Sequence, residues 1–402
     1  MAATCSESTT AETTAADTIL DWYHEPRVSG LRLESGGEVS VGDAARVDSR
    51  FAPGYERPRM RAVRITKPGG YERLELVELD DPPCGADHVA IDVRASGVNY
   101  ADSVVRMGLY KSAKEYVGWP VTPGFEFAGV VSQVGSGVSR FAVGQRVFGV
   151  TRFGGYASRV VVPHDQIVPT PAALSDVQAA TFPAVHLTAW YALRELGNLR
   201  PGKQVLVHSA AGGVGGAALQ IVRACGGTSV GIVRGAHKVE PARELGATHV
   251  IDKGATDLWP AVEAVAPDGF DIALDPNGAE TLMQSYRHLS PAGRLVIYGF
   301  ATMFRRGRSR PDWLKLIVDY YRTPRFNPLR MTNSNKSVMA FNLSYLFDRK
   351  DVLVEAMTEL MRWLEEGRLV PPPVTEYALD DVASAHRDLE TGTTVGKLAL
   401  VL

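Results

Sequence analysis

The residues best placed to do chemistry lie between Val205 and Gly227, in VLVHSAAGGVGGAALQIVRACGG. Gln204 to His208 has strand character and runs into a glycine-rich turn of Ala210, Ala211, Gly212, Gly213, Val214 and Gly215. A helical pattern follows, with Leu219, Ile221 and Val222 among alanines. Strand, turn and helix in that order suit a dinucleotide: glycines let the backbone approach a pyrophosphate, and the helix N-terminus meets its charge. Ala210 stands where the G-x-G-x-x-G pattern has its first glycine, so an ordinary βα turn remains the alternative. A second strand, Thr228 to Val233, ends in Arg234, followed by Gly235, Ala236, His237 and Lys238. NAD-binding units place an Asp or Glu about 20 residues beyond the glycines to take the ribose hydroxyls. Here no carboxylate stands there to repel a 2′-phosphate, and two cations, Arg234 and Lys238, can meet it. That favours NADPH over NADH. The competing reading has both cations solvating a helix start.

Such a turn needs a parallel sheet to hold it. Beyond Val233 the pattern predicts a helix through Glu244, a third strand in ATHVID, a strand FDIALD and another in RLVIYGFA, Arg294 to Ala301. Gly299 and Phe300 fall at the carboxyl end of that last strand, where open α/β sheets bind ligands. Upstream, from Arg59, MRAVRITKPGG, LELVELDDPP and HVAIDVRASGV alternate apolar and polar residues between Gly and Pro, as short antiparallel strands do. Phe125 to Val134, Gln145 to Val150 and Ala157 to Val162 continue this β region, and AATFPAVHLTAWYALRELG reads as one helix leading to the glycine turn. After the sheet come a basic segment, an edge-strand-like run Val338 to Leu346, a helix 348–366, three prolines and a terminal strand KLALVL. Residues 1–58, Thr/Ala-rich and then Gly/Asp/Arg-rich, predict poor order, with at most a small hairpin around Leu31, Leu33, Val39 and Val41.

Composition narrows the class. With 402 residues, 45% hydrophobic and 22% charged, the chain suits a globular protein of two domains. A net charge of −2 argues against a nucleic-acid binder. Cys5, Cys84 and Cys225 are too few and too scattered for a disulfide framework or a four-cysteine zinc lobe. No apolar run reaches ~18 residues, which argues against a spanning helix. The polar opening MAATCSESTTAETTAAD lacks the apolar core of a secretory signal and the arginines of a transit peptide, so the expected location is cytoplasmic.

Four stretches carry a resemblance: GVNYADSVVRMGLY (97–110), GFEFAGVVSQVGSGVSRFAVGQRV (124–147), LTAWYAL (187–193) and VHSAAGGVG (207–215). Together they resemble the zinc-independent NADPH:quinone oxidoreductase branch of the medium-chain dehydrogenases/reductases, over about residues 60 to 402. YRHLSPAGRLVIYGFA through VMAFNLSYL is similar to the synaptic vesicle membrane protein (vesicle amine transport protein) subfamily. The resemblance implies an α/β fold: a GroES-like β-barrel catalytic domain plus a Rossmann domain with a doubly wound parallel sheet. It divides the chain into an extension (1–58), a first catalytic part (59–183), an NADPH-binding domain (184–346) with a basic insert (303–330), and a catalytic return (347–402).

Zinc alcohol dehydrogenases place a Cys shortly before the Asp matching Asp102 and a His in a Gly-His-Glu motif; here those positions read Asn99 and Phe125-Glu126. Without thiolate and imidazole no metal site is expected, and Glu126 is expected to be hydrogen-bonded inside the β domain. Polarisation of a substrate must then come from a hydrogen-bond donor. The resemblance puts Tyr110 beside the nicotinamide, where a phenol can protonate a developing enolate; the alternative is an aromatic packing wall. It carries over Asn99 as an amide donor, Asp102 as an orienting group, Thr188 at the opening of the linking helix, and Pro276 and Asn277 as a loop over the adenosine and ribose. Asn99 and Asp102 also suit turns, and Thr188 a cap. Lys397 is a candidate near the cofactor, although a charge at a strand start is usually solvated. His186, His208 and His386 read as structural.

The insert holds Arg305, Arg306, Arg308, Arg310, Lys315, Arg322, Arg325 and Arg330 among aromatic and aliphatic residues, with a short helix expected from Asp312 to Arg322. It suits an anionic membrane surface, a dimer contact or a lid over the substrate. The edge strand in VMAFNLSYL implies a homodimer. The leading expectation is an NADPH-dependent reductase delivering hydride to a quinone or other α,β-unsaturated carbonyl. Its rivals are an enoyl-thioester reductase and a membrane-associated lipid-binding protein that keeps the fold.

Overall fold

The computed structural model describes Arg59–Leu402. The extension 1–58, its small hairpin and Cys5 lie outside the described residues. Two strands, β1 (Arg59–Arg64) and β2 (Glu75–Asp80), pair antiparallel. Then come β3 (His88–Val98), β4 (Glu126–Val134), β5 (Arg146–Val150), β6 (Arg159–Pro163) and β7 (Ile167–Pro169). Six more follow: β8 (Gln204–His208), β9 (Thr228–Val233), β10 (His249–Asp252), β11 (Phe270–Asp275), β12 (Leu289–Ile297) and β13 (Ser337–Ala340). The last two are β14 (Val374–Ala378) and β15 (Lys397–Val401).

Strands β8 to β13 form one sheet in the order β10-β9-β8-β11-β12-β13, every neighbouring pair parallel. Val205, Leu206 and Val207 are fully buried, the near-continuous apolar run that a strand covered on both faces requires. The strand order reverses between β8 and β11, and a crevice opens at such a switch point beyond the carboxyl ends. The other sheet runs β14-β15-β3-β4-β5-β7, with β6 also on β3. In it β15 pairs antiparallel with β3, setting Leu398 opposite Val98. One apolar core ties both sheets together: Phe148 and Ala128 from the second pack with Leu187, Trp190, Leu219 and Leu360 from the helices beside the first.

Four local expectations need correction. The single helix across residues 179–197 is broken: Asp176–Ala180 ends before Pro183, which starts a new helix, Pro183–Trp190, that loosens into a π turn over Tyr191–Leu196. Proline supplies no N–H inside a helix but fits its first turn. Thr188 therefore lies within a helix instead of opening one, and its hydroxyl donates to the Ala184 carbonyl at 2.7 Å. Strand β12 begins at Leu289 and stops at Ile297, because the Ala301 and Thr302 amides turn back to the carbonyls of Pro276 and Asn277. The edge run Val338 to Leu346 pairs only as far as Ala340; beyond it, the Asn342 side chain caps a 3₁₀ turn at Leu343–Tyr345.

Candidate active site

The glycine turn is built for close approach. Gly212 caps the helix Gly213–Ala224, whose first amides have no partner inside the helix. A Cβ on Gly215 would overlap the Ser209 carbonyl, and one on Gly213 would sit 2.8 Å from Lys397 Cδ. Ser209 adopts φ 55°, a conformation that residues with a Cβ enter at a cost of about 1–3 kcal/mol. The return segment braces the turn: Gly396 N donates to the Ala211 carbonyl at 2.8 Å. Ala211, Gly212, Gly213, Val214 and Gly215 thus lie at the carboxyl end of β8, at the switch point.

The loops after β11 and β12 face one another. Asp275 is fully buried; its Oδ1 accepts the Asn277 amide at 2.8 Å and the Thr281 hydroxyl at 2.9 Å, and its Oδ2 accepts the Ser285 hydroxyl at 2.8 Å. Those bonds fix the Pro276–Asn277 turn. A Cβ on Gly299 would sit tightly against the Pro276 carbonyl, at 3.0 Å, and Phe300 packs on Gly278. The Asn277 side chain is 4% exposed, and its Nδ2 has no partner. A buried donor left unpaired costs about 1–3 kcal/mol, which a ligand acceptor would recover. Together with the open helix terminus and the glycines, this donor fits a dinucleotide.

In the β domain, Asn99, at the position of a zinc ligand, joins Glu126 and Lys397 in a closed polar cluster. Lys397 is 4% exposed, and its Nζ donates to the Val98 carbonyl at 2.8 Å and to Asn99 Oδ1 at 2.7 Å while pairing with Glu126 Oε1 at 2.7 Å. Lys397 is thus not solvated, contrary to the reading of a charge at a strand start. Asn99 Nδ2 donates to Glu126 Oε1 at 2.9 Å, and Ala184 N donates to Glu126 Oε2 at 2.8 Å. The Asn99 amide is therefore already engaged on both sides. Asp102 accepts from Asn99 N, from Gly124 N and from the Tyr156 hydroxyl, at 2.8, 2.9 and 2.9 Å. It orients the start of the helix Tyr100–Arg106, and burial pushes its carboxyl up to about 7 against those three donors. Among the described residues no group of three or more His, Cys, Asp or Glu side chains could hold a metal ion.

Tyr110 sits in an aromatic wall, with its hydroxyl engaged by a side chain from another segment. Its ring packs edge-on to Phe125 and Phe153, and its hydroxyl donates to Asn342 Oδ1 at 2.8 Å. Burial raises its pKa, so it stands as a protonated donor at neutral pH. Asn342 and Ser344, whose hydroxyl also reaches Asn342 Oδ1 at 2.9 Å, escaped the sequence reading; the run VMAFNLSYL passed for strand, and only the Asn-x-Ser turn chemistry hinted otherwise. At the end of β9, Arg234 is exposed and Lys238 is half-buried, its Nζ donating to the Gly392 carbonyl at 2.7 Å. Burial lowers the Lys238 pKa, and the Arg306 charge adds to this. The three structural histidines are all buried, but each keeps one ring nitrogen unpartnered. Burial brings His186 down to about 4 and His386 to about 3.

A mainly antiparallel β domain joined by the return strand β15, a six-stranded parallel sheet with a glycine turn at its switch point, and Asn99 and Phe125 at the positions of zinc ligands define a class. It is that of the zinc-independent medium-chain dehydrogenases/reductases, which are oxidoreductases. Residues 85–172 match the alcohol dehydrogenase GroES-like domain and residues 245–400 the family described as zinc-binding dehydrogenase. The chain is 35% identical to the synaptic vesicle membrane protein VAT-1 homolog of Rattus norvegicus over 346 residues, 86% of this chain and 84% of that one. The quinone oxidoreductase of Escherichia coli, solved in complex with NADPH, superposes with a TM-score of 0.73 at 29% identity, covering 85% of this chain and 100% of that one. The CurK enoyl reductase does so at 0.73 and 26%, covering 85% and 99%. The chain belongs to the VAT-1 and quinone oxidoreductase branch of that family.

Proposed function

We propose that this protein is an NADPH-dependent reductase that delivers hydride to a quinone or other α,β-unsaturated carbonyl without zinc. The observation that carries the reading is the cradle itself: a glycine turn, an unpaired Asn277 donor, and cations instead of a carboxylate after β9. In this reading Ala211, Gly212, Gly213, Val214 and Gly215 hold the pyrophosphate, Pro276, Asn277, Gly299 and Phe300 line the cofactor, and Thr188 and Lys397 support the nicotinamide end. Arg234 and Lys238 take the 2′-phosphate. Bound NADPH supplies the hydride. Tyr110 turns its hydroxyl from Asn342 to the acceptor oxygen and gives up a proton there, while Asn99 and Asp102 hold the wall on which the acceptor rests. The division 59–183, 184–346 and 347–402 is part of the proposal, as are a homodimer through the β13 edge and a cytoplasmic location. An enoyl thioester is the alternative acceptor, favoured by the likeness to an enoyl reductase.

The test is fluorescence titration with NADPH and NADH, followed by a panel of small quinones, enones and CoA enoyl esters. Micromolar NADPH binding is expected, with oxidation by a quinone or enone. Tyr110→Phe should lower kcat about 10²-fold with NADPH affinity kept. Failure to bind either cofactor would overturn the reading. Turnover of CoA esters alone would select the alternative.

One observation favours a peripheral membrane role beside catalysis. On the helix Trp313–Arg322, Leu314 is 71% and Tyr321 70% exposed, with Val318 on the same side, while Leu316 and Asp319 face inward. Several insert cations are occupied internally, since Arg305 pairs with Asp312 at 2.7 Å and Arg310 with Glu72 at 2.8 Å. The apolar stripe supplies insertion, and two of the insert cations outside ion pairs, Arg325 and Arg330, attract anionic head groups.

A further inference from the structure

The segment 303–312 leaves the parallel sheet and is strapped to the β domain. Buried Arg106 donates to the Ser309 carbonyl at 2.5 Å and pairs with Glu390 at 2.5 Å, Glu72 holds Arg310, and Met303 and Leu316 pack on Met107 and Leu109. Held in this way, the strap brings Arg306 against Gly392, where a Cβ would lie 3.4 Å from its guanidinium. Gly392 is also the residue whose carbonyl receives Lys238 Nζ, so Arg306 and Lys238 converge on one corner from two segments.

A third segment adds to them. The Lys253 amide donates to the Val233 carbonyl at 3.0 Å, which sets Lys253 beside Arg234 at the carboxyl end of β9. Three carboxylates also face this corner: Asp252, whose Oδ1 accepts both Gly235 N and Gly254 N at 2.8 Å and whose pKa those bonds lower, with the Arg234 charge adding, and Glu280 and Asp275, whose charges act on Lys253. Among the described residues, no carboxylate oxygen lies within 4.0 Å of the side-chain nitrogens of Arg234, Lys238, Lys253 or Arg306. Burial lowers the pKa of both lysines, with Arg306 adding at Lys238 and Arg234 and Arg306 adding at Lys253, where Glu280 and Asp275 oppose the shift without reversing it. Like charges gathered with partial desolvation repel one another, and an anion arriving among them relieves that repulsion.

We propose that Arg306 is a specificity-determining residue: from the strap it completes the 2′-phosphate pocket begun by Arg234 and Lys238, with Lys253 as the fourth cation. The inference rests on the NADPH reading above and goes beyond it. It makes cofactor choice depend on a residue outside the βαβ unit, and it makes the phosphate a clamp on the strap. A cofactor without the phosphate leaves the strap as it was.

The experiment compares wild type with Arg306→Gln by titration with NADPH, NADH, 2′,5′-ADP and 5′-AMP, and by hydrogen exchange over residues 303–312. The expected result is an NADPH and 2′,5′-ADP Kd raised at least about tenfold, as for loss of a charge-assisted bond, with NADH and 5′-AMP unchanged. NADPH, and not NADH, should slow exchange in the strap. Arg306→Lys should recover part of the affinity, since it restores charge without the fork. Full NADPH selectivity in Arg306→Gln, equal weakening of both cofactors, or equal strap protection by both would each overturn the inference while leaving the NADPH reading standing. A wild type with no preference for NADPH would overturn both.

Discussion

Replacing Lys397 with methionine tests the polar cluster at the junction of the two sheets. The substitution keeps the length of the stem, whose Cδ lies 2.8 Å from where a Gly213 Cβ would be, and removes only the ammonium. Three acceptors lose their donor: Glu126, Asn99 Oδ1 and the Val98 carbonyl. Glu126, fully buried, keeps the Asn99 and Ala184 N–H groups but no positive charge. Breaking a buried pair from one side costs about 3–5 kcal/mol, most of it the penalty of the stranded charge. Lys397→Met is therefore expected to lose about that much in the free energy of urea unfolding, with the denaturant slope unchanged. Lys397→Met combined with Glu126→Gln removes the stranded charge and should recover at least about half of the loss, a non-additivity expected of groups in contact. A loss below about 1 kcal/mol in the single variant would refute the reasoning. So would strict additivity of the two substitutions, because the pair would then be energetically independent.

Two further outcomes follow from other parts of the molecule. His186 titrates near 6.5 when free and near 4 when folded, so between those values the unfolded chain takes up a proton that the folded chain refuses. Its contribution is whole above pH 6.5 and falls as the pH drops, by about 2 kcal/mol at pH 5; His186→Gln should flatten the stability–pH curve over that window, and an unchanged slope would count against the assignment. Vesicles rich in anionic phospholipid should sediment the protein at low salt and release it at several tenths molar, where screening lengths fall to about 4–5 Å. Binding that survives Leu314→Glu with Tyr321→Glu, or that is equal on neutral vesicles, would remove the membrane role.

Local periodicity made the parallel sheet legible. Gln204–His208, Thr228–Val233 and Phe270–Asp275 occur as the sequence predicts, because each is a largely buried apolar run with a glycine, proline or serine within two residues of its end. The site was less legible where partners are distant in the chain. Lys397 reads as solvated by itself; its partner Asn99 is 298 positions away. Tyr110 reads as either donor or wall because Asn342, 232 positions on, is what accepts its hydrogen bond. Arg306 reads as one arginine among many, and only the strap shows which cation reaches Gly392. Thr188 was misplaced for a local reason, since Pro183 could equally end a helix or begin one.

The place of β15 has a consequence for how the chain is made. Lys397–Val401 lies between β14 and β3 in the middle of its sheet, and the Lys397 contact to Val98 spans 299 positions. During synthesis β6 can cover His88–Asp92 of β3, but the Ala95–Val98 part of that edge has no neighbour until residues 398–401 emerge. The parallel domain, whose strands are all complete by Ala340, can fold first and stand as a template. The earlier half of the catalytic sheet must wait with an open, aggregation-prone margin. Closure of that sheet is then the late event of biogenesis, and the same strand that seats Lys397 beside Asn99 is the one that ends the wait.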